Sequence, residues 1–200
     1  MSMIVIIQLV LFSFILQLPV SQSGKIERLL CLARNYKQVE KSAMLLPSNS
    51  PIINKIPCIS PLRAEDLRHI PVSSSYGIRL HPILNEYKHH SGVDLPGTEG
   101  EKVYASADGV VVAASRERLI GNYVKLEHAF GFTTVYGHLN SFCVSIGDTI
   151  HIGRIIGFVG STGRSTGPHL HYGITKNNLQ QDPLPYCYLY MKWLKRKETH

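Results

Sequence analysis

The sequence predicts a mainly β domain built of antiparallel strands and preceded by a short helical segment. Three observations predict it. Beyond residue 71 the chain breaks into short runs of alternating apolar and polar residues, the period of strands with one buried face. Glycine-containing pairs punctuate those runs where turns belong. The intervals between runs are too short for crossover helices, which excludes a parallel sheet.

The elements follow in chain order. Residues 1–23 carry no charged side chain, and Met3 to Leu18 is apolar apart from Gln8, Ser13 and Gln17. Pro19 ends the run, and Ser21-Gln22-Ser23 offers small residues at the spacing of a processing site. The stretch falls short of the roughly 20 apolar residues that span a bilayer, so a cleaved secretory signal is expected. No Lys or Arg precedes it, which keeps an uncleaved membrane anchor as the alternative. Either way the bulk of the chain is expected to be exported, to a periplasm or cell envelope or as a secreted protein.

Residues 24–71 read as a helical spacer or prosegment. Lys25 to Met44 predicts one helix, with Ile26, Leu29, Leu30, Ala33 and Tyr36 near one face. Pro47 to Pro57 reads as a loop, and Ser60-Pro61 as the cap and first residue of a short helix reaching about His69. Residues 72–182 hold the strands: Val103 to Ala105, Gly109 to Ala114, Tyr123 to His128, Phe132 to His138, Phe142 to Ile146, Ile150 to Ile152, Ile155 to Val159 and His169 to Ile174. Gly121-Asn122, Phe130-Gly131 and Gly147-Asp148 fall at the turns. In the tail, 183–200, Tyr186, Tyr188, Tyr190 and Trp193 interleave with Lys192, Lys195, Arg196 and Lys197. It reads as a solvated terminal helix or strand, with attraction to an anionic wall polymer or membrane surface as the functional alternative.

Composition narrows the function classes. With 44% hydrophobic and 18% charged residues, the 200-residue chain is no disordered or coiled-coil protein. Its formal charge of +7 suggests a polyanionic partner at first sight. The excess lies outside the β region, however: residues 24–71 carry eight basic and four acidic residues, 72–182 nine of each, and 183–200 four and one. A neutral β region in an exported chain argues against nucleic acid and leaves an anionic envelope surface as the partner of the flanks. Export would allow disulfides among Cys31, Cys58, Cys143 and Cys187; none of these share a CxxC spacing, and Cys143 reads as a small buried residue.

Eight of the ten histidines lie between His81 and His171. In His90-Ser91-Gly92-Val93-Asp94 an extended backbone would place His90 and Asp94 on one face, with Gly92 allowing a bend. In His169-Leu170-His171 the alternate positions of a strand put both imidazoles on one side. His138 follows Tyr136-Gly137 at a strand end. Two imidazoles and a carboxylate make a three-ligand site with a fourth position for water, and the absence of thiolate suits Zn²⁺.

Residues 72–182 resemble the M23 (LytM/lysostaphin-type) zinc metallopeptidases. The resemblance rests on Tyr76-Gly77-Ile78-Arg79-Leu80-His81-Pro82-Ile83, His90 to Asp94, Val103 to Val111, Tyr136 to Leu139, Gly147 to Ile150 and the block from Gly160 to His171. It implies the duplicated-hybrid, barrel-sandwich-like fold of that family. It also implies one Zn²⁺ per domain on His90, Asp94 and His171, with His138 and His169 as the two catalytic histidines that are not ligands. It assigns no role to His89, and His81 is expected to be structural or to line the groove. Within Gly160 to Gly167, the glycines suit a tight loop, and Ser161, Thr162, Ser165 and Thr166 are candidates for hydrogen bonds to an extended peptide substrate.

The implied activity is hydrolysis of peptide cross-links in bacterial peptidoglycan, either in stem peptides or in glycine bridges, with the former favoured. Two other readings compete. One is a non-catalytic peptidoglycan-binding or hydrolase-activating module, disfavoured because all five positions are intact. The other is a lipoyl- or biotinyl-like carrier, suggested by Gly147 to Ile150 with Gly153 to Gly157 but lacking a carrier lysine in a tight turn. Oligomeric state has no signature in the sequence.

Overall fold

The computed structural model describes residues 21–63, 69–80 and 86–196. The apolar N-terminal run, the middle of the helix expected after Ser60, and His81 lie outside them. Among the described residues no helix is long and apolar enough to cross a membrane.

The expected first helix is two. Helix α1 spans Gln22–Leu32 and α2 spans Tyr36–Ala43. Asn35 separates them: its side chain accepts from Gln38 N at 3.1 Å, and Gln38 Oε1 accepts in return from Arg34 N at 2.8 Å. This is a reciprocal cap, and a cap starts a helix rather than continuing one. Ser21, within the expected processing site, caps α1 by accepting from Gly24 N at 3.1 Å. The Pro47–Pro57 loop contains a 3₁₀ turn, Pro51–Lys55. Ser60 Oγ accepts from Leu62 N at 3.4 Å, but residues 60–63 form bends and no helical turn.

Among the described residues twelve strands follow. Strands β1 (Gly77–Leu80) and β2 (Tyr87–His90) form a hairpin, and β3 is Val93–Pro96. Strands β4 (Lys102–Tyr104), β10 (Ile155–Phe158) and β8 (Ser141–Phe142) make a three-stranded sheet in that order. The large sheet runs β12 (Leu179–Gln181), β11 (His169–Lys176), β7 (Phe132–Leu139), β6 (Gly121–Glu127), β5 (Gly109–Glu117) and β9 (Thr149–Ile150). Strand β3 shares the free edge of β11 with β12, and every pairing is antiparallel. The mainly β class is as the sequence predicts; the sheets are open, and among the described residues none closes into a barrel. The sequence reading lacked β1, β2, β3 and β12, and it overextended β8. Cys143 therefore lies beyond its strand and is exposed, not buried as expected.

The core gathers one face of each long strand, including Leu126, Phe132, Leu170 and Ile174, each burial contributing roughly 1.5–3 kcal/mol. Tyr136 and Tyr172 are fully buried, and their hydroxyls are satisfied by Ser106 and Thr134 at 2.7–3.1 Å. His128 extends this network through Thr134 Oγ1 and donates from Nδ1 to the Asp108 carbonyl, both at 2.7 Å.

The flanks are not solvated appendages. Lys176, completely buried on β11, donates to the carbonyls of Cys31 at 3.1 Å and Phe130 at 2.5 Å. Asn177 and Gln181 donate to the carbonyls of Cys31 and Arg34, so three side chains close the C-terminal end of α1. The C-terminal residues form α3 (Leu184–Cys187) and α4 (Leu189–Lys195), which bury Tyr186, Cys187, Leu189 and Trp193. Tyr36 meets Tyr186 edge-on at 4.9 Å, and Lys192 reaches Glu40 at 2.7 Å. The tail thus docks on the N-terminal helices, because four buried aromatic and apolar side chains outweigh its charges.

Candidate metal centre and groove

Register brings the site together. On β11, His171 stands opposite Asp94 of β3 on one side and Gly137 of β7 on the other. His90 ends β2, so the His90–Asp94 pair spans two strands joined at Ser91-Gly92 and is not one continuous extended segment. Gly92 is required for closeness more than for bending: a Cβ there would meet Tyr172 O at 2.4 Å and His171 Cε1 at 2.9 Å.

The atoms His90 Nε2, Asp94 Oδ1 and His171 Nδ1 converge, with separations of 3.1 Å between the nitrogens and 3.2 and 3.0 Å to the carboxylate oxygen. They form a group able to hold a metal ion. Zn–N and Zn–O bonds near 2.0–2.2 Å in tetrahedral geometry place ligand atoms about 3.3 Å apart, so this donor set fits zinc with little movement. The outer nitrogen of His90 supports the assignment. Its Nδ1 lies 2.9 Å from the Ser75 carbonyl, which can only accept, so the proton sits on Nδ1 and the Nε2 lone pair faces the centre. Burial would raise the Asp94 carboxyl, yet the close approach of the His171 and His90 imidazoles outweighs it and holds the group well below the ordinary carboxylate range.

His138 and His169 stand beside the three, their rings 4.8 Å apart. Both are oriented in the same way: Nδ1 of His138 donates to Thr162 O and Nδ1 of His169 to Gly167 O, each at 2.8 Å, leaving both Nε2 atoms unprotonated. His138 occupies the left-handed region at φ 59°, a conformation that costs a non-glycine residue roughly 1–2 kcal/mol. Its backbone N–H, which donates to Ile120 O at 2.8 Å, and its ring bond offset that cost. Burial, reinforced by nearby His169 and His171 against the Thr162 carbonyl and Asp94, lowers its imidazole to about 4.

A groove of about 290 Å³ surrounds these groups. Ser165 and Thr166 line it. Ser161 and Thr162 do not; Ser161 Oγ donates to Ser165 Oγ at 3.0 Å, and Thr162 Oγ1 donates to Leu139 O at 2.7 Å while accepting from Asn122 N at 2.9 Å. Their hydroxyls are committed to holding the loop. His89 is exposed against Tyr76 and also borders the groove. The sequence reading assigned no task to Arg79, Lys88, Arg164, Leu119 or Ile120, all of which line it. Arg79 Nη2 lies 3.5 Å from Asp94 Oδ2, the oxygen turned away from the histidines. No described residue of 24–71 reaches the groove.

Known proteins resemble this chain in sequence and in fold. The sequence model of Peptidase family M23 matches residues 88–183. A DD-carboxypeptidase/endopeptidase, Mpg, of Neisseria meningitidis serogroup B is 45% identical over 120 residues, 60% of this chain and 28% of that protein. The catalytic domain of the antimicrobial peptidase lysostaphin from Staphylococcus simulans superposes with a TM-score of 0.55 at 33% identity, covering 63% of this chain and 98% of that domain. A zinc-containing peptidase from Vibrio cholerae gives 0.57 at 30% identity, over 64% and 39%. The chain spans about a quarter of the length of the curated relatives it matches.

Proposed function

This chain belongs to peptidase family M23, and from that premise we propose that it is a zinc-dependent endopeptidase cleaving peptide cross-links of bacterial peptidoglycan in the cell envelope. The observation that carries the reading is the convergence of His90, Asp94 and His171 beside two imidazoles of matching tautomer. Its relatives point the same way: Mpg is named for DD-carboxypeptidase and endopeptidase action, and the Vibrio cholerae structure for its zinc. Stem-peptide cross-links are favoured over glycine bridges because curated relatives are named as DD-endopeptidases.

His90, Asp94 and His171 would hold the ion, which when bound supplies a Lewis acid for the scissile carbonyl and an activated water. The remaining steps belong to the chain. Asp94 contributes the one negative charge and, fixed by Arg79 on its far oxygen, turns Oδ1 to the centre. The unprotonated Nε2 atoms of His138 and His169 divide two proton tasks: accepting from the attacking water and, once protonated, donating to the leaving amine. Ser165 and Thr166 border the peptide's path.

Zymography on purified peptidoglycan, with and without a chelator, tests the reading. Clearing that the chelator abolishes and zinc restores is expected. Binding without cleavage would replace the reading with that of a non-catalytic module.

A further inference from the structure

The β region balances nine basic against nine acidic residues, yet its groove does not. Arg79, Lys88 and Arg164 line it, with Asp94 as the one carboxylate. Asp94 is already engaged by His90, His171 and Arg79. The field over the reacting centre is therefore positive although the domain is neutral, the arrangement that concentrates an anionic ligand in a cleft.

The two flanking cations differ from Arg79 in having no strong internal partner. Lys88 stands directly opposite Arg79 in the β1–β2 hairpin, a like-charge pair that destabilises a hairpin when nothing anionic lies between. Its one ion pair among the described residues, to Glu86 at 3.4 Å, joins two exposed side chains and is worth roughly 0–1 kcal/mol. Arg164 is held by its backbone, whose N–H donates to Leu119 O at 2.8 Å, while its guanidinium has no partner among the described residues. That is a fixed backbone carrying an exposed fork of donors, a group that can take a carboxylate in bidentate fashion. The two lie on opposite sides of the centre. Lys88 comes with His90 from the β3 edge of β11, and Arg164 is tied to the turn before β6, on the β7 side.

Resting on the peptidase reading, we infer that this groove selects peptides bearing free carboxylates on both sides of the scissile amide, one facing Arg164 and the other facing Lys88. Amidation of those carboxylates removes the charge that the groove is built to receive. The cations then face a neutral peptide, and the cost falls on binding more than on the chemical step.

The test uses peptide dimers released from peptidoglycan, with carboxyl groups either free or converted to amides, cleaved by the zinc-loaded full chain. The expected result is a kcat/KM at least tenfold lower for the amidated dimer, carried mainly by KM. Arg164→Gln and Lys88→Gln should each lower kcat/KM on the free dimer severalfold and shrink the ratio between the two dimers. Zinc content and thermal unfolding should match the parent protein, showing an intact site. Salt at about 1 M, where the Debye length is about 3 Å, should reduce the same ratio. Equal cleavage of both dimers, or a ratio untouched by both variants, overturns the inference and leaves the peptidase reading standing. Failure to cut either dimer overturns the peptidase reading itself.

Discussion

The two ends of β11 bury polar side chains for opposite purposes. At the start, His169 gives its Nδ1 proton to a backbone carbonyl, while His171 turns its Nδ1 towards Asp94 Oδ1, in one small centre shared with His90 and His138. At the end, Lys176 spends its donors on two carbonyls of other segments and lies over the Phe132 ring at 5.2 Å. A buried polar group must be satisfied, and Lys176 is, which makes it a structural rivet. His90, His138 and His169 are satisfied on Nδ1 and left with a lone pair on Nε2, and His171 faces the same centre with its Nδ1. Several lone pairs aimed at one point are unstable without a cation, and that residue of unsatisfied chemistry marks function.

This contrast can be broken at either end. His171→Ala should abolish zinc binding and turnover together, read as metal content beside peptidoglycan hydrolysis, while the fold survives. His138→Ala should keep its zinc and lose about 10²–10⁴ in turnover; a fully active variant would remove His138 from the chemistry. At the other end, Lys176→Met should leave the Phe130 carbonyl without its side-chain partner and the Cys31 carbonyl with Asn177 alone, and cost about 1–3 kcal/mol in denaturant unfolding. Zinc affinity should stay unchanged, and a loss of zinc would mean that the two ends are coupled.

Two smaller effects sharpen the comparison. Burial, partly offset by the Asp108 carbonyl and its nearby charge, lowers the His128 imidazole to about 4. The unfolded chain binds a proton there below about 6.5 and the folded one does not until about 4, so stability falls as pH drops through that window, by up to about 3 kcal/mol. Unfolding midpoints between pH 7 and 4 should show the decline, and His128→Gln should flatten it. Lys192→Met removes an ion pair at the half-exposed junction of α2 and α4 and should cost less than about 1 kcal/mol by the same measurement.

Much of the site was readable from short spacings. HxxxD and HxH bring the candidate ligands together because strands alternate and turns reverse, and only the family resemblance distinguishes His169 from His171 in role. The long strands were legible for the same reason. The β1–β2 hairpin was not, since its residues alternate without a buried face: Ile78 and Tyr87 are 79% and 78% exposed. Cys143 misled because an alternating run looks the same inside and outside a ladder. The Asn35 break carried a signal, a capping residue with Gln three positions later, that apolar periodicity masked.

Residue chemistry at close sequence spacing thus followed from the chain alone: the donor types of the candidate metal site and the strand period. The orientation of that chemistry came from distant backbone. Ser75 O fixes the tautomer of His90 across 15 residues, and Thr162 O that of His138 across 24. Every residue carries such a carbonyl, so no side-chain pattern announces which one will serve. Register chooses it, as it also chose the cations placed around a neutral domain's groove and the rivet beneath the N-terminal helices.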